Sequence, residues 1–306
     1  MVEKCKVARL EFISKEVSDR VISAAFPHVG AVAFEVVDGI GVWFRFHQPV
    51  SHSRILSPVN YTWQMISVQN LRKEFGPKVV LKGINLEVGA GEIMAIMGSS
   101  GGGKTTLLRC IAGLISPTSG TILVNGVNVG ESPNEAMQSM GMVFQSAALF
   151  DFMTVKENVL FGVRRRKKLS KSEEDDLAHS YLETVGLEES AHLMPSELSG
   201  GMKKRVGIAR ALALQPKVML YDEPITGLDP VTAFLIDSLI IKVRDQFEMT
   251  SLVVSHDVSS VVRVSDRVAF LDEGELAFLG NPEGFLSSKV PAIEEVVEKS
   301  QAREID

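Results

Sequence analysis

The stretch "EIMAIMGSSGGGKTTLLRCIAGL", Glu92 to Leu114, decides how the rest of the chain is read. "EIMAIMG" is a short apolar run ending in glycine, the form of a buried strand. "KTTLLRCIAGL" has helical spacing. Between them, "GSSGGGKTT" (Gly98–Thr106) fits G-x-x-x-x-G-K-[ST], with Gly98, Gly103, Lys104 and Thr105 in place. Glycines here let the backbone N–H groups of the loop (Ser99, Ser100, Gly101, Gly102 and on to Thr106) close on phosphate oxygens without Cβ clashes. Lys104 is expected to reach the β- and γ-phosphates, and the Thr105 hydroxyl to ligate Mg²⁺. The bland alternative is a glycine-rich turn, and the strand-before, helix-after context argues against it.

Other stretches supply partners for such a loop. "VMLYDE" (Val218–Glu223) places two carboxylates at the C-terminal end of an apolar strand, the edge where ligands bind in open α/β sheets. Asp222 is expected to hold Mg²⁺ through water, and Glu223 to act as general base on the attacking water. "LVVSHD" sets His256 just past another apolar strand. Alone, such a histidine reads as a satisfied structural residue; near a γ-phosphate, a neutral imidazole would orient the water. Gln145 closes "GMVFQ", where its amide oxygen can touch metal or water. A second anion site follows in "LMPSELSGGMKKRVGIARA" (Leu193–Ala211). Ser199, Gly200 and Gly201 precede a basic, Ala-rich helical run, which gives bare N–H groups and a favourable dipole.

From Met65 onward strand-like and helix-like stretches alternate. "MISVQNL", "NLEV", "TILVNG", "KVMLYDE" and "TSLVVSH" read as strands, a helix starts near Asp229, and "RVAFLDEGELAFLG" reads as a hairpin turning at Glu273–Gly274. Ser146 to Ala213 is helical and polar, an insertion into an α/β core with a largely parallel sheet. It contains "RRRKK" (Arg164–Lys168), read as a solvated face because "SKSEEDD" follows. Residues 1–64 show no functional pattern and read as an extension of unassigned role, with a start at Met65 as the favoured alternative. The tail "PAIEEVVEKSQAREID" (291–306) spaces Ile293, Val296 and Val297 as a short amphipathic helix, either frayed or docked on a partner subunit.

Composition bounds the function. The 306 residues are 45% hydrophobic and 23% charged, enough to bury a full core in one or two domains. A net charge of −6 argues against nucleic-acid binding, which shows a basic excess. Cys5 and Cys110 stand far apart in no CxxC pattern, so a reduced, cytosolic protein without structural zinc is expected. No apolar run reaches the ~18 residues of a membrane span. The nearest, "VGAVAFEVVDGIGVWF" (Val29–Phe44), carries Glu35 and Asp38. The N-terminus lacks a signal-peptide pattern, and any membrane role is expected to come through a partner.

"GSSGGGKTT", "VFQ", "LSGGM", "VMLYDEP", "GLD" and "SH" occur in the order and spacing of ATP-binding cassette (ABC) ATPases, which the chain resembles from about Met65 to Gly280. The resemblance implies an α/β P-loop NTPase of the ABC ATPase type: a mixed sheet core over residues 65–290 with a helical subdomain at about 146–213. It implies ATP and Mg²⁺ as ligands. It also implies that Phe75 in "KEFG" stacks on adenine. Gln145 becomes the Q-loop glutamine, Ser199–Gly201 the signature sequence, Asp222 and Glu223 the second Walker motif, Asp229 the D-loop aspartate and His256 the switch histidine. Two cassettes of this kind pair head to tail, each signature helix capping the γ-phosphate on the opposite P-loop; the second anion site serves a second chain. Met202, Ile225 and Gly227 depart from the glutamine, threonine and alanine common at their positions, and none of these changes removes a catalytic group.

"MGMVFQSAALFDFMTVKENVLFG", "LMPSELSGGMKKRVGIARALAL" and "DEPITGLDPVTA" resemble the ATPases of MCE-associated lipid transporters, the Mla-type phospholipid and organic-solvent-resistance systems. That resemblance implies a homodimer of ATPase subunits at the cytoplasmic face of the inner membrane. The implied partners are a membrane permease, an MCE-domain lipid-binding protein and, in some systems, a STAS-domain protein. The ATPase of a small-solute importer is the alternative. A soluble mechanical ABC ATPase is a third reading, but such proteins usually carry two cassettes, a long coiled-coil insertion or zinc-binding cysteines.

Overall fold

The computed structural model describes residues 33–37, 41–45 and 64–303. Two compact units divide it, Met1–Asn60 and Tyr61–Asp306. In the first, β1 (Ala33–Val37) and β2 (Gly41–Arg45) form an antiparallel hairpin with Phe34 opposite Phe44. This pairing adds local structure to a segment in which no strand was read, and leaves its role unassigned. The available signal was Asp38-Gly39 between two apolar runs, a hairpin dipeptide. The expectation about a start at Met65 lies outside the described residues.

The second unit holds two sheets. β3 (Gln64–Phe75), β4 (Lys78–Gly89), β6 (Ser119–Val124) and β7 (Val127–Asn128) pair antiparallel in the order β4-β3-β6-β7. β4 is longer than the "NLEV" stretch that signals it. Irregularities at several points of the β3–β4 register break the period-two pattern by which a strand is read. The other sheet has six strands: β5 (Ile93–Gly98), β8 (Met140–Val143), β9 (Val218–Asp222), β10 (Thr250–Val254), β11 (Arg267–Asp272) and β12 (Glu275–Gly280). Their order is β12-β11-β5-β10-β9-β8. Every pair is parallel except the β11–β12 hairpin, which turns through Glu273 and Gly274 at φ 47° and 83°. The largely parallel reading therefore describes this sheet, and the antiparallel sheet is a separate layer.

Both faces of the six-stranded sheet are covered, as parallel strands require. Alternate residues of β5 point to opposite sides. Met94 and Ile96 pack with α1 (Lys104–Ile111) and the antiparallel sheet, while Ala95 and Met97 face the other way. Cys110 of α1 is fully buried, which pushes its thiol up to about 11. The short α2 (Pro133–Gln138) leads into β8.

The inserted helices are α3 (Val155–Arg166), α4 (Lys171–Thr184) and α5 (Gly200–Leu212). They leave from β8 and return to β9, its hydrogen-bonded neighbour. α3 and α4 begin with capping boxes, Thr154 with Glu157 and Ser170 with Glu173. The basic block ends α3 and meets the acidic start of α4. Arg164 grips Glu174 through two bonds of 2.8 and 2.7 Å, and Lys156 pairs with Asp175. Arg165 lies over the Phe161 ring. These pairs are at the surface and contribute little stability; they occupy part of the charge that a solvated face would leave to water.

After β9 come α6 (Pro230–Phe247), α7 (Val258–Val264), α8 (Pro282–Leu286) and α9 (Pro291–Arg303). The last corrects the reading of the tail. Ile293 and Val297 of α9 are buried with Val258, Val261, Phe270 and Phe285 of the same chain, and Val296 packs beside them. The apolar face is thus covered by the chain's own core rather than left frayed or kept for a partner. No helix among the described residues is long and apolar enough to cross a membrane.

Ile293→Ala should cost about 2–5 kcal/mol of stability, the range for truncating a fully buried aliphatic side chain. Urea unfolding of the full chain measures it. A loss under about 0.5 kcal/mol, the surface range, would mean that α9 does not belong to the core.

Candidate active site

Four neighbouring parallel strands bring the chemistry to one edge. β5 ends at Gly98. β10 ends beside it and leads to His256, β9 ends in Asp222 and leads to Glu223, and β8 leads to Gln145. The register sets Val254 against both Ile96 and Asp222, and Val143 against Tyr221. Parallel strands lie about 4.8 Å apart, so residues far apart in sequence become near neighbours.

The Gly98–Thr106 loop is shaped by what stands next to it. Gly98 has φ 152°, and a Cβ there would lie 2.0 Å from the Leu271 carbonyl oxygen of β11. Only glycine fits that approach. Gly103, the N-cap of α1, has φ 101° and no side chain to satisfy the first N–H groups of the helix. The first turn of α1 carries no acidic residue, so the positive end of the helix is open to an anion. Ser99 donates its hydroxyl to Asp272 at 2.9 Å. Lys104 folds across the loop and donates to the Gly98 and Ser99 carbonyls at 2.9 and 2.8 Å. Burial holds its pKa below the usual lysine range, and the Glu223 carboxylate opposes that shift. A cradle that a Cβ would fill, with a half-buried cation inside it, suits phosphate.

Beside the loop, Asp222 is 7% exposed. Burial raises its pKa, while Arg109 and Lys204 pull it down. Glu223 adopts a left-handed φ of 51°, a strained conformation for a non-glycine residue. Its N–H donates to the Val254 carbonyl at 2.9 Å. Its Oε2 accepts the Thr226 hydroxyl at 2.9 Å and lies 2.7 Å from His256 Nδ1. The structural reading and the chemical reading of His256 therefore meet, because its partner is the acid itself. With Glu223 ionised, a neutral imidazole carries its proton on Nδ1 and presents Nε2 as an acceptor. The Thr105 hydroxyl, Asp222 carboxylate and Gln145 amide are hard oxygen donors of the kind Mg²⁺ takes while keeping several waters.

The stretch read as a second anion site opens a helix. Ser199 caps α5, its Oγ accepting the Met202 N–H at 3.3 Å. The hydroxyl keeps its own proton to donate. Gly200 and Gly201 follow at the first turn, where helix N–H groups lack intrahelical acceptors. A Cβ on Gly201 would meet Thr232 Cγ2 at 2.4 Å, so α5 sits close against α6. Asp229 caps α6 by accepting the Thr232 and Val231 N–H groups. Hydrogen bonds from Thr232 hold its carboxyl below the usual range. Phe75 ends β3, half exposed, with the Lys73 ammonium 4.7 Å from its ring centroid.

Sequence reading missed four residues here. Asp272 follows the apolar "RVAFL" as Asp222 follows "VMLY", which was a usable signal. Thr226, three residues after Glu223, was another. Lys204 and Arg210 of α5 were not singled out within the basic, Ala-rich run. Lys204 is 5% exposed and donates to the Gln145 and Glu223 carbonyls, and Arg210 donates to the Ala147 and Ala148 carbonyls.

Comparison with known proteins agrees with this geometry. Residues 81–226 match the family described as ABC transporter. The chain is 41% identical over 229 residues to the intermembrane phospholipid transport system ATP-binding protein MlaF of Haemophilus influenzae, spanning 74% of this chain and 87% of that protein. It is 43% identical over 222 residues to the glutamine transport ATP-binding protein GlnQ of Escherichia coli, spanning 72% and 92%. Among solved structures, the dimeric post-hydrolysis state of the ATP-binding cassette MJ0796 bound to ADP and Pi matches with a TM-score of 0.65 at 32% identity, over 71% of this chain and 99% of that one. The sheet edge, its ordered motifs and these matches lead to one conclusion: the chain belongs to the ABC transporter family, as an ATP-hydrolysing, ATP-binding subunit.

Proposed function

We propose that this chain energises phospholipid transport through a separate membrane permease by hydrolysing ATP at two sites shared between two copies of itself. The contact of Glu223 with His256, which follow β9 and its neighbour β10, the strand beside the P-loop strand β5, carries the hydrolytic part. In this reading the Gly98–Thr106 backbone and Lys104 bind the phosphates, and Phe75 takes the adenine. Mg²⁺, held by Thr105, Asp222 and Gln145, supplies charge neutralisation when bound. Glu223 accepts the proton of the attacking water. Thr226 and His256 hold the carboxylate in one orientation, and His256 Nε2 accepts a hydrogen bond that fixes the water. The Ser199–Gly201 terminus supplies preorganised donors to the partner's γ-phosphate. The dimeric state of MJ0796 supports the shared sites.

The lipid assignment rests on the likeness to MlaF and on Met202 within "SELSGGM". It brings an MCE-domain lipid-binding protein as a partner, a STAS-domain protein as a further one, and a peripheral place at the cytoplasmic face of the inner membrane. The likeness to GlnQ favours a second reading, import of a small solute such as an amino acid. Isolating the tagged chain from membranes of its native host separates the two. A permease accompanied by an MCE-domain protein supports lipid transport. A permease accompanied by a solute-binding protein supports the second reading.

Glu223→Gln keeps size and hydrogen bonding but removes the base. Turnover should fall about 10²–10⁴-fold while ATP binding persists; Lys104→Ala should weaken binding as well. Near-normal hydrolysis in the glutamine variant removes Glu223 from the role.

The shared sites have their own test. With Cys5 and Cys110 replaced and Glu223→Gln present to retain ATP, Ser99→Cys and Ser199→Cys should form disulfide-linked dimers on oxidation with ATP. Far fewer should form without nucleotide. Links confined within single chains would overturn the shared-site reading.

A further inference from the structure

We propose that Lys204 is a positioning residue that fastens the signature helix of one chain to that chain's own base and Q-loop, so that hydrolysis at one nucleotide depends on the seating of the helix that caps the other. The proposal rests on the shared-site reading above.

Lysine is among the residues least often buried, and a buried cation is costly unless its hydrogen bonds are made. Lys204 is 5% exposed. Its ammonium reaches two carbonyls from separate segments, Gln145 at 2.5 Å and Glu223 at 3.1 Å. Burial lowers its pKa, and the Glu223 and Asp222 carboxylates oppose that shift.

Both acceptors matter because of where they sit. The Glu223 carbonyl belongs to a residue at φ 51°. The direction of that peptide sets the direction of Cα–Cβ, and so the placing of the carboxylate against His256. A charge-assisted bond to the carbonyl fixes ψ of Glu223, while the bond of its N–H to the Val254 carbonyl holds the peptide on the other side. At the other acceptor the same helix has a second hold. Arg210 donates to the Ala147 and Ala148 carbonyls at 2.7 and 2.6 Å, and both residues have positive φ, 60° and 46°. Between the two cations the loop lies against Gly207, where a Cβ would be in ordinary contact, 3.4 Å from the Ala147 Cβ. The segment from Gln145 to Ala148 is therefore tied to α5 from both sides of Gly207.

Ser199 lies five residues before Lys204 on the same helix. A displacement of α5 by the partner's nucleotide therefore moves Lys204, and through it the Glu223 peptide and the Q-loop. Helices transmit such shifts because their backbone is close to rigid over one or two turns.

The test uses the purified full chain. Lys204→Met keeps the apolar stem and removes the donors; it leaves the Gln145 and Glu223 carbonyls unpaired, so stability is read beside activity. Lys204→Gln, which keeps an amide donor, is the second variant if the first does not fold. The measurements are steady-state ATP hydrolysis against ATP concentration, affinity for a fluorescent ATP analogue, and Tm. The expected result for Lys204→Met is a fall in kcat of about tenfold to a hundredfold, the worth of a hydrogen bond to a charged group. KM and affinity should stay within about twofold, Tm should fall by no more than two unpaired carbonyls cost, and the Hill coefficient for ATP should fall towards one. Lys204→Gln should lose less. An unchanged kcat overturns the proposal. So does a fall in kcat matched by loss of affinity and of Tm, which is the signature of a packing residue. Glu223→Gln runs as a control: if it hydrolyses ATP normally, the reading of Glu223 as the base has failed, and with it the site on which Lys204 is proposed to act. An inactive Glu223→Gln beside a fully active Lys204→Met rejects Lys204 alone.

Discussion

Parallel hydrogen bonding among β5, β10, β9 and β8 is the constraint on which the rest of the molecule depends. In a parallel ladder every strand presents its C-terminal end to the same edge. The P-loop, His256, the Asp222–Glu223 pair and Gln145 therefore meet without any of them being close in sequence. The cost of this arrangement is burial on both faces, which β9 and β10 meet with five buried residues in a row. A slip of one residue in any of these pairs would turn each side chain to the other face, moving Asp222 away from the site.

Strain collects where the strands stop. Gly98 relieves it by having no side chain in the path of the Leu271 carbonyl. Glu223 carries a side chain, so its left-handed backbone is held from outside by the Val254 carbonyl on one side and Lys204 on the other. The chain thus keeps a non-glycine residue in an unfavourable conformation, with its carboxylate against His256. Such strain persists only where the surroundings over-determine it.

The helical insertion is joined to this edge by side chains that reach loop carbonyls. Asn158 of α3, fully buried, accepts the Phe150 N–H and donates to the carbonyls of Phe150, Met153 and Thr154. Lys204 and Arg210 of α5 hold the preceding turn. On the far side of the site, Asp237 of α6 accepts from Ser260 and Arg263 of α7 at 2.7 and 2.5 Å. Burial raises the Asp237 carboxyl, and those hydrogen bonds pull it back. The helix after Asp229 is thereby joined to the helix after His256. Both connections are polar, directional and buried, so they specify one arrangement of helices more sharply than apolar packing does.

The sequence by itself determined what is local. Glycines at fixed spacing, a lysine and a threonine at a helix start, and acidic or imidazole side chains at the ends of apolar runs all carry their meaning within a few residues. They were enough for the P-loop, the Asp222–Glu223 pair, His256, the capped signature helix and the Glu273–Gly274 turn. Tertiary structure decided the rest. Lys204 and Lys203 are indistinguishable neighbours in "MKKR", yet only Lys204 faces two carbonyls that fold in from residues 145 and 223. Ile293 reads the same whether its helix frays, docks on a partner or, as here, lies on Phe270 and Phe285. The physical reason is that a periodic pattern states which side chains need burial, while the surface that buries them, and the acceptor that compensates a buried charge, come from segments tens to hundreds of residues away.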